Sequence, residues 1–257
     1  MKTDTRARIL GIIEQYGKIR PAELQKTLNI TPQAVHYHLR NLTKEGFIES
    51  KGSVPLTHYR LVGVPDLEGV KGWIEAPTIH TNPQQVCETR DVFTARLPQL
   101  ETMLAQRIST DVLPLIIVSA GETGNNSFDH NLGQWRDAPG CWFEAQTTGG
   151  LFWICIADRG QGIFQSLKKI HSHLLNEQMA LTAAFETIIS GRAPEQRGNG
   201  LKFVREIIVK TPGAGIACKS GTAQVQYGEQ GLRCQSLLEK NFQDVQGTMT
   251  LMTWRLQ

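Results

Sequence analysis

Within LPLIIVSAGETGNNSFDHN, Glu122, Asn126 and His130 recur every fourth residue, so a helix there aligns a carboxylate, an amide and an imidazole on one face. The Asn126 amide oxygen can hold a hydrated Mg²⁺, and the Glu122 carboxylate can orient a water. Further on, LFWICIADRGQGI runs as a continuous apolar segment into Asp158, with Gly160 and Gly162 two apart. That segment predicts a strand buried on both faces. Its terminal carboxylate can accept a hydrogen bond from an exocyclic amine, while the glycines let a planar base approach the backbone. In RGNGLKFVREIIV, Gly198 and Gly200 immediately precede a helix bearing Leu201, Val204, Ile207 and Ile208. Unpaired N–H groups and the positive dipole end of such a helix cradle phosphate, and Arg197 and Lys202 can add charge. Gly160 and Gly162 lack the third glycine of a Rossmann fingerprint, and no G-x-x-x-x-G-K-[ST] loop occurs, which removes both of those readings.

Taken in order, the three segments resemble the GHKL superfamily of ATP-binding domains, which includes DNA gyrase, heat-shock chaperones, mismatch-repair ATPases, histidine kinases and anti-sigma-factor kinases. The resemblance covers roughly Asp111 to the C-terminus. Glu122, Asn126, Ser127 and His130 match the E-x-x-x-N-[AS]-x-x-H box; Asp158, Gly160 and Gly162 match D-x-G-x-G; Gly198, Gly200 and Leu201 match G-x-G-L. It implies ATP and Mg²⁺ as cofactors, with Asn126 on the metal, Asp158 on the adenine amino group and Thr248 supporting that contact. It also implies Glu122 as general base where ATP is hydrolysed, and a lid over the phosphates from about Lys168 to Gly198. The chain departs from the pattern at Thr123 and Gly124, where the family has apolar residues, and at Asn199 between the glycines. Gly121 and Gly124 should each cost their helix about 1 kcal/mol against Ala.

The elements that must position these groups are a helix for the first segment, a buried strand for the second and a helix for the third. Two later strands, GIACKSGTAQVQY and GTMTLMTWRL, complete a sheet. DVFTARLPQLETMLAQRIS shows helical spacing interrupted at Pro98 and packs on this domain. Gly63 to about Asn82 is rich in Gly, Pro and Asp, with Trp73 and Ile74 as isolated apolar anchors, and reads as an ordered linker.

The first sixty residues carry a different pattern. Ile9, Leu10, Ile12 and Ile13 predict a helix over Thr5–Tyr16 that ends at Gly17. Pro21 opens a second helix carrying Leu24 and Leu28, and Thr31-Pro32 opens a third with Val35, Leu39 and Leu42, stopped by Gly46. FIES and THYRLV alternate as two strands of a hairpin. Helix, helix-turn-helix and hairpin in that order resemble the winged helix of bacterial transcription regulators, which implies duplex DNA as partner. If the third helix enters the major groove, Gln33, His36, Tyr37 and Arg40 face base edges. Thr31, Lys44, Lys51, His58 and Arg60 are placed for phosphates. His36 and His38 point to different faces, which argues against a metal site.

Composition sets the frame. The 257 residues suit two domains, and 40% hydrophobic with 20% charged residues describes a globular chain. The net charge of +3 is uneven: residues 1–62 hold ten Lys or Arg against five Asp or Glu, the remainder 17 against 19. Basic charge thus concentrates where DNA is expected. Five scattered cysteines read as reduced thiols, no segment reads as a leader or membrane span, and a cytoplasmic location is expected.

The expected class is α+β: a winged helix-turn-helix over residues 1–65, a linking segment over 66–110, and a two-layer α/β sandwich of the GHKL (Bergerat) type over 111–257. His80 lies in PTIHTNP, whose prolines argue against a phosphoacceptor helix. No transducer domain is read after the last strand, which argues against fast hydrolysis. The leading reading is a transcription regulator, a homodimer on paired half-sites, in which Mg-ATP modulates DNA binding. The alternatives are a serine/threonine protein kinase resembling anti-sigma-factor kinases and acting on a protein partner, a slow ATPase, or a scaffold whose boxes only support the fold.

Overall fold

The computed structural model describes residues 5–45, 47–53, 55–81, 83–187 and 200–257, and they divide into two units. One runs through Asp66 and includes Thr147–Gly149; the other comprises Leu67–Gln146 and Gly150–Gln257.

In the first unit α1 (Thr5–Tyr16) has the expected span and stops at Gly17, whose φ of 74° is left-handed. After β1 (Lys18–Ile19), α2 (Pro21–Leu28) starts on its proline, and the Glu23 carboxylate accepts from the Arg20 N–H at 2.8 Å. α3 (Pro32–Lys44) is capped by Thr31, whose hydroxyl accepts from the Ala34 N–H at 3.2 Å. Gly46, expected to stop it, lies outside the described residues. Then β2 (Ile48–Lys51) and β3 (His58–Leu61) form the expected antiparallel hairpin. The sheet order β1-β3-β2 makes β3 central, because the unread strand β1 pairs with it. Ile9, Ile13, Leu24, Leu28, Val35, Leu39, Leu42 and Ile48 close one core at the helical spacing read in the sequence.

The second unit begins with α4 (Glu68–Glu75), β4 (Val86–Cys87), α5 (Arg90–Arg96) and α6 (Gln99–Leu104), with Pro98 between the last two. Then come α7 (Leu113–Asp129), β5 (Cys141–Thr148), β6 (Leu151–Asp158), α8 (Gly162–Lys168) and α9 (Glu177–Glu186). The chain closes with α10 (Gly200–Lys210), β7 (Ala214–Gly221), β8 (Ala223–Tyr227), α11 (Gly231–Asn241) and β9 (Val245–Arg255). Six strands form one sheet in the order β4-β5-β6-β9-β7-β8, and β6 lies antiparallel to β9 with Asp158 opposite Thr248.

Alternation along β6 sends Phe152, Ile154 and Ile156 into a core shared with α5, α7, α9 and α10. Trp153, Cys155 and Ala157 enter a second core with Val70, Trp73 and Ile74 of α4, Leu238 of α11 and Phe242, which follows that helix. Helices therefore cover both faces of the sheet, which accounts for the uninterrupted apolar run of β6. The class is α+β as expected, and α4 and α11 add cover beyond the two layers anticipated.

Two readings are corrected and a third gains a cause. The segment read as a linker contains α4, three of whose side chains are buried in the second core. GIACKSGTAQVQY is not one strand but the hairpin β7–β8, turning at Gly221 with φ 61°. Gly124 is a packing requirement: a β-carbon there would stand 2.1 Å from Cζ of the Phe93 ring. All five cysteines are free and buried.

Candidate functional site

Widely separated parts of the second unit line one pocket of about 760 Å³, solvent at its mouth included. α7 contributes Asn126 and His130, the end of β6 contributes Asp158, and the starts of α8 and α10 contribute Gly162, Gly200 and Leu201. Thr248 of β9 completes it, while Ile156, Ile163, Leu167 and Ala184 form apolar walls.

Asp158 is the polar centre. Its side chain accepts from the Gly160 N–H at 2.9 Å and the Ser127 hydroxyl at 3.2 Å, and the residue is 4% exposed. Burial pushes its carboxyl up to about 6, although Gly160, Ser127, Asn131 and the backbone of Thr248 all pull it down. Such a group is still ionised at neutral pH and can accept a hydrogen bond from a ligand in a setting where that bond is strong.

The backbone around Asp158 is fixed by close approaches. Asn131, which the sequence reading missed, donates to Ser127 O at 3.0 Å and accepts from the Gln161 N–H at 3.1 Å. It occupies the space beside Gly160, where a β-carbon would lie 2.0 Å from its Cγ. Gly162 adopts φ 78° to open α8. Ser220, also missed, accepts from the Ile163 N–H at 3.0 Å and donates to Gly247 O at 2.9 Å, tying β7, α8 and β9 together. His130 Nδ1 lies 3.1 Å from the Ser166 hydroxyl. No spacing signal marks Ser166 or Ser220; Asn131 directly follows the matched His130 but belongs to no box.

Of the other expected residues, Gly160 supports the turn rather than lining the pocket. Glu122 is partly buried and stands beside α10: a β-carbon on Gly200 would lie 2.6 Å from its Oε2. Lys202 is half-buried on α10. Arg197 and Gly198 lie outside the described residues, as does the expected lid from residue 188 onward; its earlier part forms the end of α8 and α9.

On the first unit, Thr31, Gln33, His36, Tyr37 and Arg40 are exposed along α3, with Tyr37 65% exposed. An aromatic ring projecting so far from the surface beside Gln33 and Arg40 is a surface suited to base edges and backbone. Lys44 and Lys51 are exposed, and His58 is half-buried opposite Lys51 on the hairpin. Arg60 corrects the expectation: it is 6% exposed, and its guanidinium donates to Glu49 Oε1 at 2.7 Å. As part of the central strand it holds the hairpin instead of facing phosphate.

Residues 2–49 match the family model for winged helix-turn-helix DNA-binding domains. The first unit is therefore a winged helix of the DNA-binding kind, in agreement with the element order and the exposed face of α3. Among curated proteins, none matches the chain. Among the described residues no helix is long and apolar enough to cross a membrane, and no group of three or more His, Cys, Asp or Glu side chains gathers as a metal site.

Proposed function

We propose that the second unit binds ATP with Mg²⁺ in the manner of a GHKL domain, and that its occupancy modulates DNA binding by the winged helix in a dimeric transcription regulator. The observation that carries this reading is the Asp158 carboxylate, 4% exposed in a pocket whose walls are apolar. A planar base bearing an amino group fits those two properties together: it loses water against Ile156, Ile163 and Leu167 while its amine donates to Asp158.

The donor set also fits. Mg²⁺ keeps most of its ligands as water and phosphate oxygens, so one amide oxygen, that of Asn126, is enough from the protein. Asn126 and Gly200 line the same pocket, bringing a candidate metal ligand to the N-terminal end of α10, where N–H groups favour phosphate. Glu122, beside Gly200, can hold a water by its carboxylate. When bound, the nucleotide supplies a triphosphate whose charge these groups offset.

The reading as a regulator is tested by titrating a labelled DNA duplex with the full chain, followed by fluorescence anisotropy, with and without saturating Mg-ATP. A change in DNA affinity of about fivefold or more is expected for coupled sites. Superimposable isotherms contradict regulation by nucleotide.

A further inference from the structure

Arg159 is fully buried, although it lies between two residues of the pocket's own turn, Asp158 and Gly160. Its guanidinium gathers the carbonyls at the C-terminal end of α4. Nη1 donates to Trp73 O and, at 3.0 Å, to Ile74 O, and Nη2 donates to Ala76 O at 2.7 Å. Nε and Nη2 meet the two carboxylate oxygens of Asp137 at 2.8 and 2.7 Å. Arg136 reinforces the arrangement. Its N–H donates to Arg159 O at 2.9 Å, and its side chain donates to Ala76 O at 2.6 Å and to Gln246 Oε1 at 2.7 Å. Gln246 immediately precedes Gly247, whose Cα packs on Asp158.

Two cations on the last carbonyls of a helix satisfy groups that have no partner within it. Adhesion alone does not call for them, since Val70, Trp73 and Ile74 already seat α4 in an apolar core and a buried guanidinium carries a desolvation penalty. What the clamp adds is position: it ties Trp73–Ala76 to the same peptide segment that carries Asp158. α4 starts at Glu68, two residues after the main segment of the winged-helix unit ends at Asp66.

We infer that Arg159 is a positioning residue that couples the Asp158 pocket to α4, and so to the segment that leads from the winged helix. This rests on the nucleotide-responsive reading above. A ligand donor at Asp158 competes with the Gly160 N–H and the Ser127 hydroxyl for the same carboxylate. A shift of the Asp158–Gly160 turn moves the Arg159 backbone, and the guanidinium carries the end of α4 with it.

The test is hydrogen exchange of the full chain with and without Mg-ATP, joined to the anisotropy titration of wild type, Asp137→Asn and Arg159→Lys. Amides of α4 and of residues 76–79 are expected to change their exchange rate when nucleotide binds wild type. Asp137→Asn is expected to bind nucleotide within about twofold of wild type while losing most of the nucleotide-dependent change in DNA affinity, which falls in the range of about 5- to 150-fold for coupled sites. Arg159→Lys keeps the charge but not the fork and should behave alike. A merely structural role would weaken stability and leave that change intact in the folded fraction. Nucleotide binding that leaves α4 exchange unaltered overturns the coupling even if neither variant folds, and so do folded variants that retain the full wild-type change. Wild type whose DNA affinity ignores bound nucleotide overturns the regulatory reading itself.

Discussion

Gly247 lies against Asp158 so closely that a β-carbon on it would stand 2.1 Å from the Asp158 carbonyl oxygen and 3.0 Å from its carboxylate Oδ1. Its φ is 109°, a region closed to most side chains. Gly247→Ala is therefore strained twice, by its own backbone and by a neighbour that is itself backbone. A loss of about 1–3 kcal/mol in urea unfolding is expected. A variant as stable as wild type would show that β6 and β9 do not meet as described.

The two glycines of α7 should respond in opposite directions. Gly124→Ala meets the Phe93 ring at 2.1 Å, and overpacking of about 1–3 kcal/mol outweighs the roughly 1 kcal/mol gained in helix propensity. Gly121→Ala has its nearest neighbour, a Leu97 methyl, at 3.6 Å, so only the propensity gain of up to about 1 kcal/mol remains. Equal effects in chemical denaturation would contradict this packing.

Asp158 makes stability depend on pH with a definite sign. Its folded pKa of about 6 lies above the ordinary carboxyl value of 3.8, so between those values the folded chain holds a proton that the unfolded chain has lost. Its contribution is therefore full below the lower value and declines as pH rises through the upper one. Asp158→Asn removes this slope, and between pH 4 and pH 7 the stability difference should move in favour of the variant by about 2 kcal/mol. Urea unfolding at the two pH values checks it; parallel behaviour would contradict a buried, poorly solvated carboxyl.

On the winged helix, Lys51→Ala and Arg60→Ala should differ in kind. Lys51→Ala is expected to weaken duplex binding and lower the salt slope by about 1, with unchanged melting. Arg60→Ala removes a buried guanidinium from Glu49, whose carboxylate keeps the Thr148 hydroxyl as a partner, and should lower stability by about 1 kcal/mol while leaving the slope alone. Salt-dependent anisotropy alongside thermal melting separates the two.

Legibility in the sequence followed physical cause. α1 and α3 can be read because a start or stop residue and a helical apolar period agree, at Gly17 and at Thr31-Pro32. β6 can be read because burial on both faces leaves no polar position in it before Asp158. α4 could not: Gly69 and Gly72 sit inside it among residues that mark loops, and a β-carbon on Gly69 would press on the Trp142 ring at 3.1 Å. Arg60 was misassigned because alternation gives the face of a strand but not what its neighbours bury there. The pocket's members are separated by up to 127 positions, from Thr123 to Thr250, so their convergence could be expected only from resemblance. Arg159 carries no motif signal at all, because three of its partners are backbone carbonyls that any residue supplies and the fourth, Asp137, lies 22 positions away in sequence.

The most direct test of the central claim is thermal unfolding of wild type and Asp158→Asn with Mg²⁺ and ATP. At a ligand concentration a hundredfold above Kd, wild type should gain about 2.7 kcal/mol, seen as a rise in Tm, and Asp158→Asn should lose that gain. A wild-type protein whose Tm ignores Mg-ATP at every concentration would contradict the account and leave the winged helix as the chain's one supported function.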